Sequence, residues 1–221
     1  MKLKLLALSC CLAAAFTAQA QTTATESPEN KTFKPIAGDN TTEVTVHLNQ
    51  DIFLNGGKLR WRKFTKDTKA FRLSIGFNGN YEKLDEDAHR SSFGLNIAPG
   101  IEKHFAGTNR LSPYIGAELP IGFKHDKYEN SEIEVKNASN SFGSNPSNFN
   151  VGLRGLAGTD FYVAPRFYVG LEVGIGFVYQ SYADVTTTYK NFAQPATETK
   201  GYHNYNFSPS ANGGIRVGFV F

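Results

Sequence analysis

In several segments between residue 69 and the carboxyl terminus, large apolar residues alternate one by one with glycine, small or charged residues. One set holds Phe71, Leu73, Ile75 and Phe77, then Phe93, Leu95, Ile97, Ile101 and Phe105. It continues with Leu111, Ile115, Ala117, Leu119, Ile121 and Phe123, and with Phe167, Val169, Leu171, Val173, Ile175, Phe177 and Tyr179. The interleaved set holds Gly94, Asn96, Gly100 and Glu102, Gly116, Glu118 and Gly122, and Gly170, Glu172, Gly174 and Gly176. A period of two is the mark of a strand whose two faces meet different surroundings. A soluble barrel turns its large apolar residues inward and presents a charged exterior. Here the minority face is rich in glycine, which solvates a surface poorly but fits a crowded lumen. Apolar residues outward and polar residues inward is the arrangement of a membrane barrel. The pattern therefore predicts an all-β protein: a transmembrane antiparallel up-and-down β-barrel of about eight strands.

The expected strands cover about residues 42–49, 58–64, 69–81, 91–105, 111–123, 149–162, 166–182 and 203–221. The connections alternate in length. Residues 65–68, 106–110 and 163–165 make short turns, whereas 50–57, 82–90, 124–148 and 183–202 make longer loops. Outer-membrane barrels place short turns in the periplasm and long loops outside the cell. Two outward lysines, Lys63 and Lys103, break the apolar face near the short-turn end, where a long side chain can snorkel to the interface. Aromatics gather in two girdles: Phe64, Phe71, Phe105, Phe161, Phe167, Phe219 and Phe221 below, and Phe77, Tyr81, Phe123, Tyr128, Tyr179 and Tyr182 above.

Ahead of the barrel, Lys2 and Lys4 precede an apolar stretch from Leu5 to Phe16 and the small-x-small triplet Ala18-Gln19-Ala20. These features read as a signal peptide over residues 1–20, cleaved before Gln21. The competing readings are a membrane anchor and, through Cys10 and Cys11, a lipoprotein; Ala7-Leu8-Ser9 is a poor lipidation site. Cleavage would remove both cysteines of the chain. Residues 21–40, polar and carrying Pro28, Pro35 and Gly38, read as a flexible periplasmic leader, and residues 41–221 as the barrel. No apolar run after Phe16 reaches the roughly 18 to 20 residues of a spanning helix. Cleavage would also remove Lys2 and Lys4, lowering the basic count from 23 to 21 against 20 acids, and that near balance argues against a nucleic-acid partner.

Several segments resemble the small outer-membrane β-barrel proteins of Bacteroidetes-type Gram-negative bacteria, related in architecture to the OmpA transmembrane domain and OmpX. The carriers are Leu59-Arg60-Trp61-Arg62-Lys63-Phe64 followed by Ala70-Phe71-Arg72-Leu73, and Pro99-Gly100-Ile101-Glu102-Lys103-His104-Phe105. Leu111-Ser112-Pro113-Tyr114-Ile115-Gly116-Ala117-Glu118 and Gly170-Leu171-Glu172-Val173-Gly174 continue the likeness to the end of the chain. The resemblance implies fold and outer-membrane location and implies no activity. The last strand alternates Ile215, Val217, Phe219 and Phe221, interrupted at Gly213. In barrel proteins such a strand resembles the signal read by the barrel assembly machinery.

The most concrete chemistry lies on the inward face. Glu118, Arg154, Glu172 and Arg216 fall one per strand at similar heights, with Arg60, Arg62, Arg72 and Glu102 as a second group nearer the short turns. Inward charges in a narrow lumen should pair, since a lone buried charge is costly. A lumen plugged by Arg–Glu pairs is thus expected, against the alternative of a gate that opens when pairs exchange. His47 and His104 are expected inward, and His89, His125 and His203 in or beside outer loops; with no H-x-x-x-H pair and no cysteine left after cleavage, no metal or other cofactor is expected, against the alternative of a loop site from His89, His125 and His203 with Asp126. Neither G-x-S-x-G nor S-x-x-K occurs; Ser181 and His203 could be near neighbours at one rim, but nothing in the sequence singles them out. Three functions stay open: a structural or surface-interaction barrel whose long loops meet an extracellular ligand, a small channel or transporter, and a lipid-acting enzyme. Outer-membrane lipids are partners in all three.

Overall fold

The computed structural model describes residues 33–47, 58–190, 193–211 and 214–221. The expected signal peptide, most of the leader, the first long loop and Gly213 lie outside them. Among the described residues thirteen antiparallel strands are formed: β1 (Asn40–His47), β2 (Lys58–Lys66), β3 (Lys69–Lys83), β4 (His89–His104), β5 (Leu111–Glu118), β6 (Ile121–Glu129), β7 (Ile133–Lys136), β8 (Asn148–Ala164), β9 (Phe167–Tyr182), β10 (Val185–Tyr189), β11 (Thr197–Thr199), β12 (His203–Ala211) and β13 (Gly214–Val220). The described residues form no helix.

The pairing closes on itself. β1 pairs β2, β2 pairs β3 and β3 pairs β4; β4 pairs both β5 and β6, which both pair β8; β8 pairs β9, β9 pairs β12 and β13, and β13 returns to β1. Gly100↔Glu118 and Ile97↔Ile121 share one register on β4, so β5 and β6 are a single barrel strand crossing Pro120, which lacks a backbone donor. β12 and β13 are likewise one strand with an irregularity. Five residues separate Ala211 from Arg216, but their β9 partners Val173 and Gly170 are three apart. The result is an eight-strand ring. Closure leaves no edge to fray, and every strand of the ring finds its backbone partners within the sheet.

The faces are inverted relative to a soluble protein. Outward Leu171 is 60% exposed, Ile101 65% and Leu153 61%, whereas inward Arg62, Arg72 and Arg216 are fully buried. Among the described residues, buried apolar clusters occur only at the ends: Tyr162, Tyr168 and Val220 at the short-turn end, and Val135, Ala138 and Val185 at the other. Two girdle assignments change. Phe64 points inward, 1% exposed, against the His104 ring, because the strand alternation puts it on the lumen face with Arg60 and Arg62. Tyr128 packs against the outer apolar cluster.

The two longest expected loops are also structured. Residues 124–148 contain the extension of β6 and all of β7, and residues 183–202 contain β10 and β11. The apolar-polar alternation there is too short and too polar to stand out from turn sequence.

This inversion makes a direct test. Val173, 56% exposed near the middle of β9, faces outward. Val173→Arg should lower stability in lipid-refolding titrations by about 2–4 kcal/mol, the cost of a charge at mid-bilayer. A loss under about 0.5 kcal/mol would mean that this face meets water.

Candidate functional site: an ionic lumen and an outer β-platform

Each of the eight strands of the ring sends at least one polar side chain into the lumen. Glu43 on β1 takes Arg60, Arg62 (3.2 Å) and Arg216 (3.1 Å), with a further hydrogen bond donated by the Tyr168 hydroxyl (2.9 Å). Arg62 reaches Asp160 (2.8 Å) and Glu102 (3.1 Å), and its guanidinium stands 5.1 Å from the centre of the Tyr168 ring. Arg72 binds Glu102 (2.9 Å), Glu172 (2.8 Å) and Glu118 (3.1 Å). Glu172 also accepts from Arg60 (3.0 Å) and from the Tyr114 hydroxyl (2.6 Å). Arg216 closes the circuit on Asp160 (2.9 Å), and Arg154 holds the other oxygen of Glu118 (3.0 Å). Five arginines thus face five carboxylates, a neutral set in which each member has a charged partner. His104 joins at the edge, with Nε2 3.0 Å from Glu102 and Nδ1 2.9 Å from Ser112 Oγ.

The inward glycines make room for these long side chains. A Cβ on Gly170 would sit 2.5 Å from Arg216 Nη2 and 2.6 Å from Asp160, and one on Gly158 2.4 Å from the Tyr114 hydroxyl. The glycine-rich face is therefore the mould of the network. Above it, toward the long loops, a cavity of about 90 Å³ is lined by Arg60, Ser74, Asn96, Glu118, Asn150 and Arg154.

All eight charges expected from the sequence lie on the lumen side, but their grouping differs. The two separate tiers are one network. Arg216 pairs with Glu43 and Asp160 rather than Glu172, and Glu172 reaches down to Arg60 and Arg72. Heights counted from the turns do bring Arg154 to Glu118, and Arg62 and Arg72 to Glu102, but the shear of the barrel shifts neighbouring strands past one another, so they miss the partners of Glu172 and Arg216. Glu43 and Asp160 were not among the expected charges, although both occupy inward positions by simple alternation with Thr41 and Tyr162. Tyr114 and Tyr168, which donate to the carboxylates, give no comparable signal in the sequence. The last strand places Ile215 and Phe219 outward, with Val217 half-buried and Phe221 58% exposed.

At the short-turn end, residues 33–39 lie across the periphery of the ring, within the stretch expected to be flexible leader. Phe33 packs on Tyr162, Tyr168 and Val220 and lies 4.3 Å from the Arg110 guanidinium. Lys34 donates to the Ala106 carbonyl, Ala37 N–H to Asp67 (2.8 Å), and Gly38 N–H to the Phe64 carbonyl (2.9 Å). Lys63, expected to snorkel, donates to the Gly38 carbonyl (2.6 Å).

At the opposite end the sheet continues past the ring. β6 carries β7, β7 carries β10, and β10 carries β11. Val135, Ala138 and Val185 are buried on one face with Tyr128 and Ile133 against them. Residues 137–147 fold onto this kernel: Asn137 donates to the Asp184 carbonyl (2.9 Å), and Ser147 Oγ accepts from Asp126 N–H (2.8 Å). The other face carries an ion-pair lattice. Lys127 binds Glu134 (2.7 Å) and Glu129 (2.9 Å), and Lys190 binds Glu129 (2.6 Å). Hydrogen bonds from Lys190 and then Lys127 hold the Glu129 carboxyl down to about 2, and Lys127 likewise lowers Glu134.

The outer histidines are separately engaged. His89 lies 3.5 Å from Glu129, His125 stacks on Phe123, and His203 is 2.9 Å from the Tyr179 hydroxyl although Ser181 is its register partner. The described residues contain no group of three or more side chains that could hold a metal ion.

Two predictions follow from these geometries. Glu172→Gln should cost about 3–5 kcal/mol in refolding, because Arg60 and Arg72 stay buried with a charge removed from between them; a loss below about 1 kcal/mol would indicate a hydrated lumen. On the platform, a carboxyl whose folded value is depressed stabilises above its ordinary value near 4.5 and loses that contribution as pH falls toward about 2. Amide resonances of β7 and β10 should therefore lose dispersion between pH 4.5 and 2 while those of β9 persist. Unchanged β7 signals at pH 2 would contradict the lattice's role.

A family model described as "Putative OmpA-OmpF-like porin family" matches residues 62–221. No curated protein sequence matches the chain. Among solved structures, Ail, the attachment invasion locus protein of Yersinia pestis, is similar in fold at TM-score 0.40 and 14% identity, covering 84% of this chain and 100% of Ail. The family match spans most of the barrel, including its arginines and glutamates from Arg62 onward. The chain belongs to the OmpA-OmpF-like porin family and is an outer-membrane β-barrel.

Proposed function

We propose that this protein is a closed surface barrel: its lumen does not conduct, and its task is contact with molecules outside the cell through the outer β-platform. The observation that carries the reading is the platform itself. Loops that merely connect strands have no need of a buried kernel, yet here Val135, Ala138 and Val185 are buried together with Tyr128 and Ile133 packed against them. A segment folded this far above the membrane presents a fixed set of groups, and a fixed set loses little entropy on binding. Long ordered loops in compact folds are commonly functional. Its outward groups are polar and of mixed sign, Lys127, Glu129, Glu134, Lys136 and Lys190, with Thr197–Thr199 forming an edge. The same reading includes export through a signal peptide cleaved before Gln21 and insertion guided by the terminal strand ending in Phe221.

The second reading, a small channel, is favoured by the family's porin description. Against it stands the ionic network, whose ten charges occupy the cross-section of the ring. Planar-bilayer recording separates the two. The closed-barrel reading expects no steady conductance from wild-type protein; large stable currents would establish the channel. For the platform, replacing residues 131–146 by a short turn should abolish binding of barrel-bearing cells to a panel of immobilised proteins and glycans. Heat-modifiable migration in SDS should be kept. Equal binding by the shortened protein would remove the surface-contact role.

A further inference from the structure

The membrane-facing surface of the barrel is not uniform near the short-turn end. A groove of about 570 Å³ runs between β3, β4 and β5, within the roughly 300–1,000 Å³ range of small-molecule sites. Its walls are Phe71, Ile101 and Ile115, its floor Ala117 and Gly116, and one end carries Lys69 and Lys103. The register sets this arrangement. Lys69 lies directly opposite Lys103, and Lys103 opposite Ile115; one pair further up, Phe71 lies opposite Ile101 and Ile101 opposite Ala117. Two lysines therefore stand side by side on the outer face, at the level where an apolar channel begins.

Like charges directly opposite each other on one sheet face are destabilising. Neither lysine has a carboxylate within ion-pair distance among the described residues, unlike Lys127 and Lys190 on the platform. Lys103 lies 5.8 Å from the centre of the Phe105 ring, which steadies the ammonium at headgroup height without neutralising it. Lys63, on the adjoining strand, is by contrast occupied by the Gly38 carbonyl. We propose that the β3–β4–β5 groove is a binding site for one anionic phospholipid of the inner leaflet, its phosphate held between Lys69 and Lys103 and one acyl chain lying over Ala117. Both halves of the ligand are specified: an anion by the unneutralised lysine pair, and a hydrocarbon chain by the groove that starts beside it. The small side chain of Ala117 is what gives the groove its depth.

Native mass spectrometry of the full-length protein in detergent, titrated with phosphatidylglycerol or phosphatidylcholine, tests this. Wild-type protein should retain one phosphatidylglycerol in preference to phosphatidylcholine. The double variant Lys69→Gln, Lys103→Gln should lose that preference, a drop of about tenfold or more for two lysines at an anionic headgroup. Ala117→Phe, which fills the groove, should weaken both lipids, and Lys63→Gln should change neither. Heat-modifiable migration in SDS confirms that each variant is folded. The proposal fails if wild-type protein shows no headgroup preference, if either groove variant binds as wild type does, or if Lys63→Gln weakens binding as much as the double variant. A dimer in place of the lipid adduct would assign the groove to a second copy of the chain and overturn it equally.

Discussion

Charge neutrality inside a narrow ring is the condition on which this molecule depends. An eight-strand barrel has a lumen only wide enough for side chains. Once five arginines are placed there, five carboxylates must be placed with them, and each finds its partners on other strands, some adjacent and some across the ring. Arg62 therefore joins β2 to β4 and β8, and Arg72 joins β3 to β4, β5 and β9. These cross-links take the place of the apolar core of a soluble barrel. They also explain the glycine content of the inward face: Gly158 and Gly170 are small because Tyr114, Arg216 and Asp160 occupy the space their side chains would fill. The outer face is released from packing against a core and can turn its large apolar residues to lipid.

With the middle of the barrel fixed in this way, variation is left to the two ends. At the short-turn end, Phe33, Lys34 and Asp67 bind residues 33–39 to three different parts of the rim. At the long-loop end the strands overrun the ring and build a second, smaller packing unit around Val135 and Val185. The two ends use different physics. The platform's lattice of Lys127, Glu129, Glu134 and Lys190 lies at the surface, so it is tunable by pH and salt, whereas the lumen network is shielded from both.

The barrel was legible in the sequence because period-two alternation is a local signal repeated on nearly every strand. The lumen residues followed from the same parity, including all of the arginines. What escaped was partner choice and anything that depends on distant strands meeting. Glu43 sits on a short strand with a weak apolar face, and Asp160 is masked by neighbouring Thr159 and Phe161, so neither stood out, yet each binds at least two arginines. Phe64, aromatic at a strand end, reads as a girdle residue, although its even spacing from Arg60 and Arg62 places it inside. The platform reads as loop in the sequence because β7 and β11 are only 4 and 3 residues long, below the length at which alternation can be recognised.

The most direct measurement of the central claim is hydrogen exchange at the arginine side chains. If the lumen is a closed ionic network, the guanidinium protons of Arg62, Arg72 and Arg216, all fully buried, should exchange far more slowly than those of Arg90, which lies half-exposed at the outer end of β4. Exchange at Arg72 as fast as at Arg90 would mean that water passes freely through the ring, and would contradict the sealed lumen.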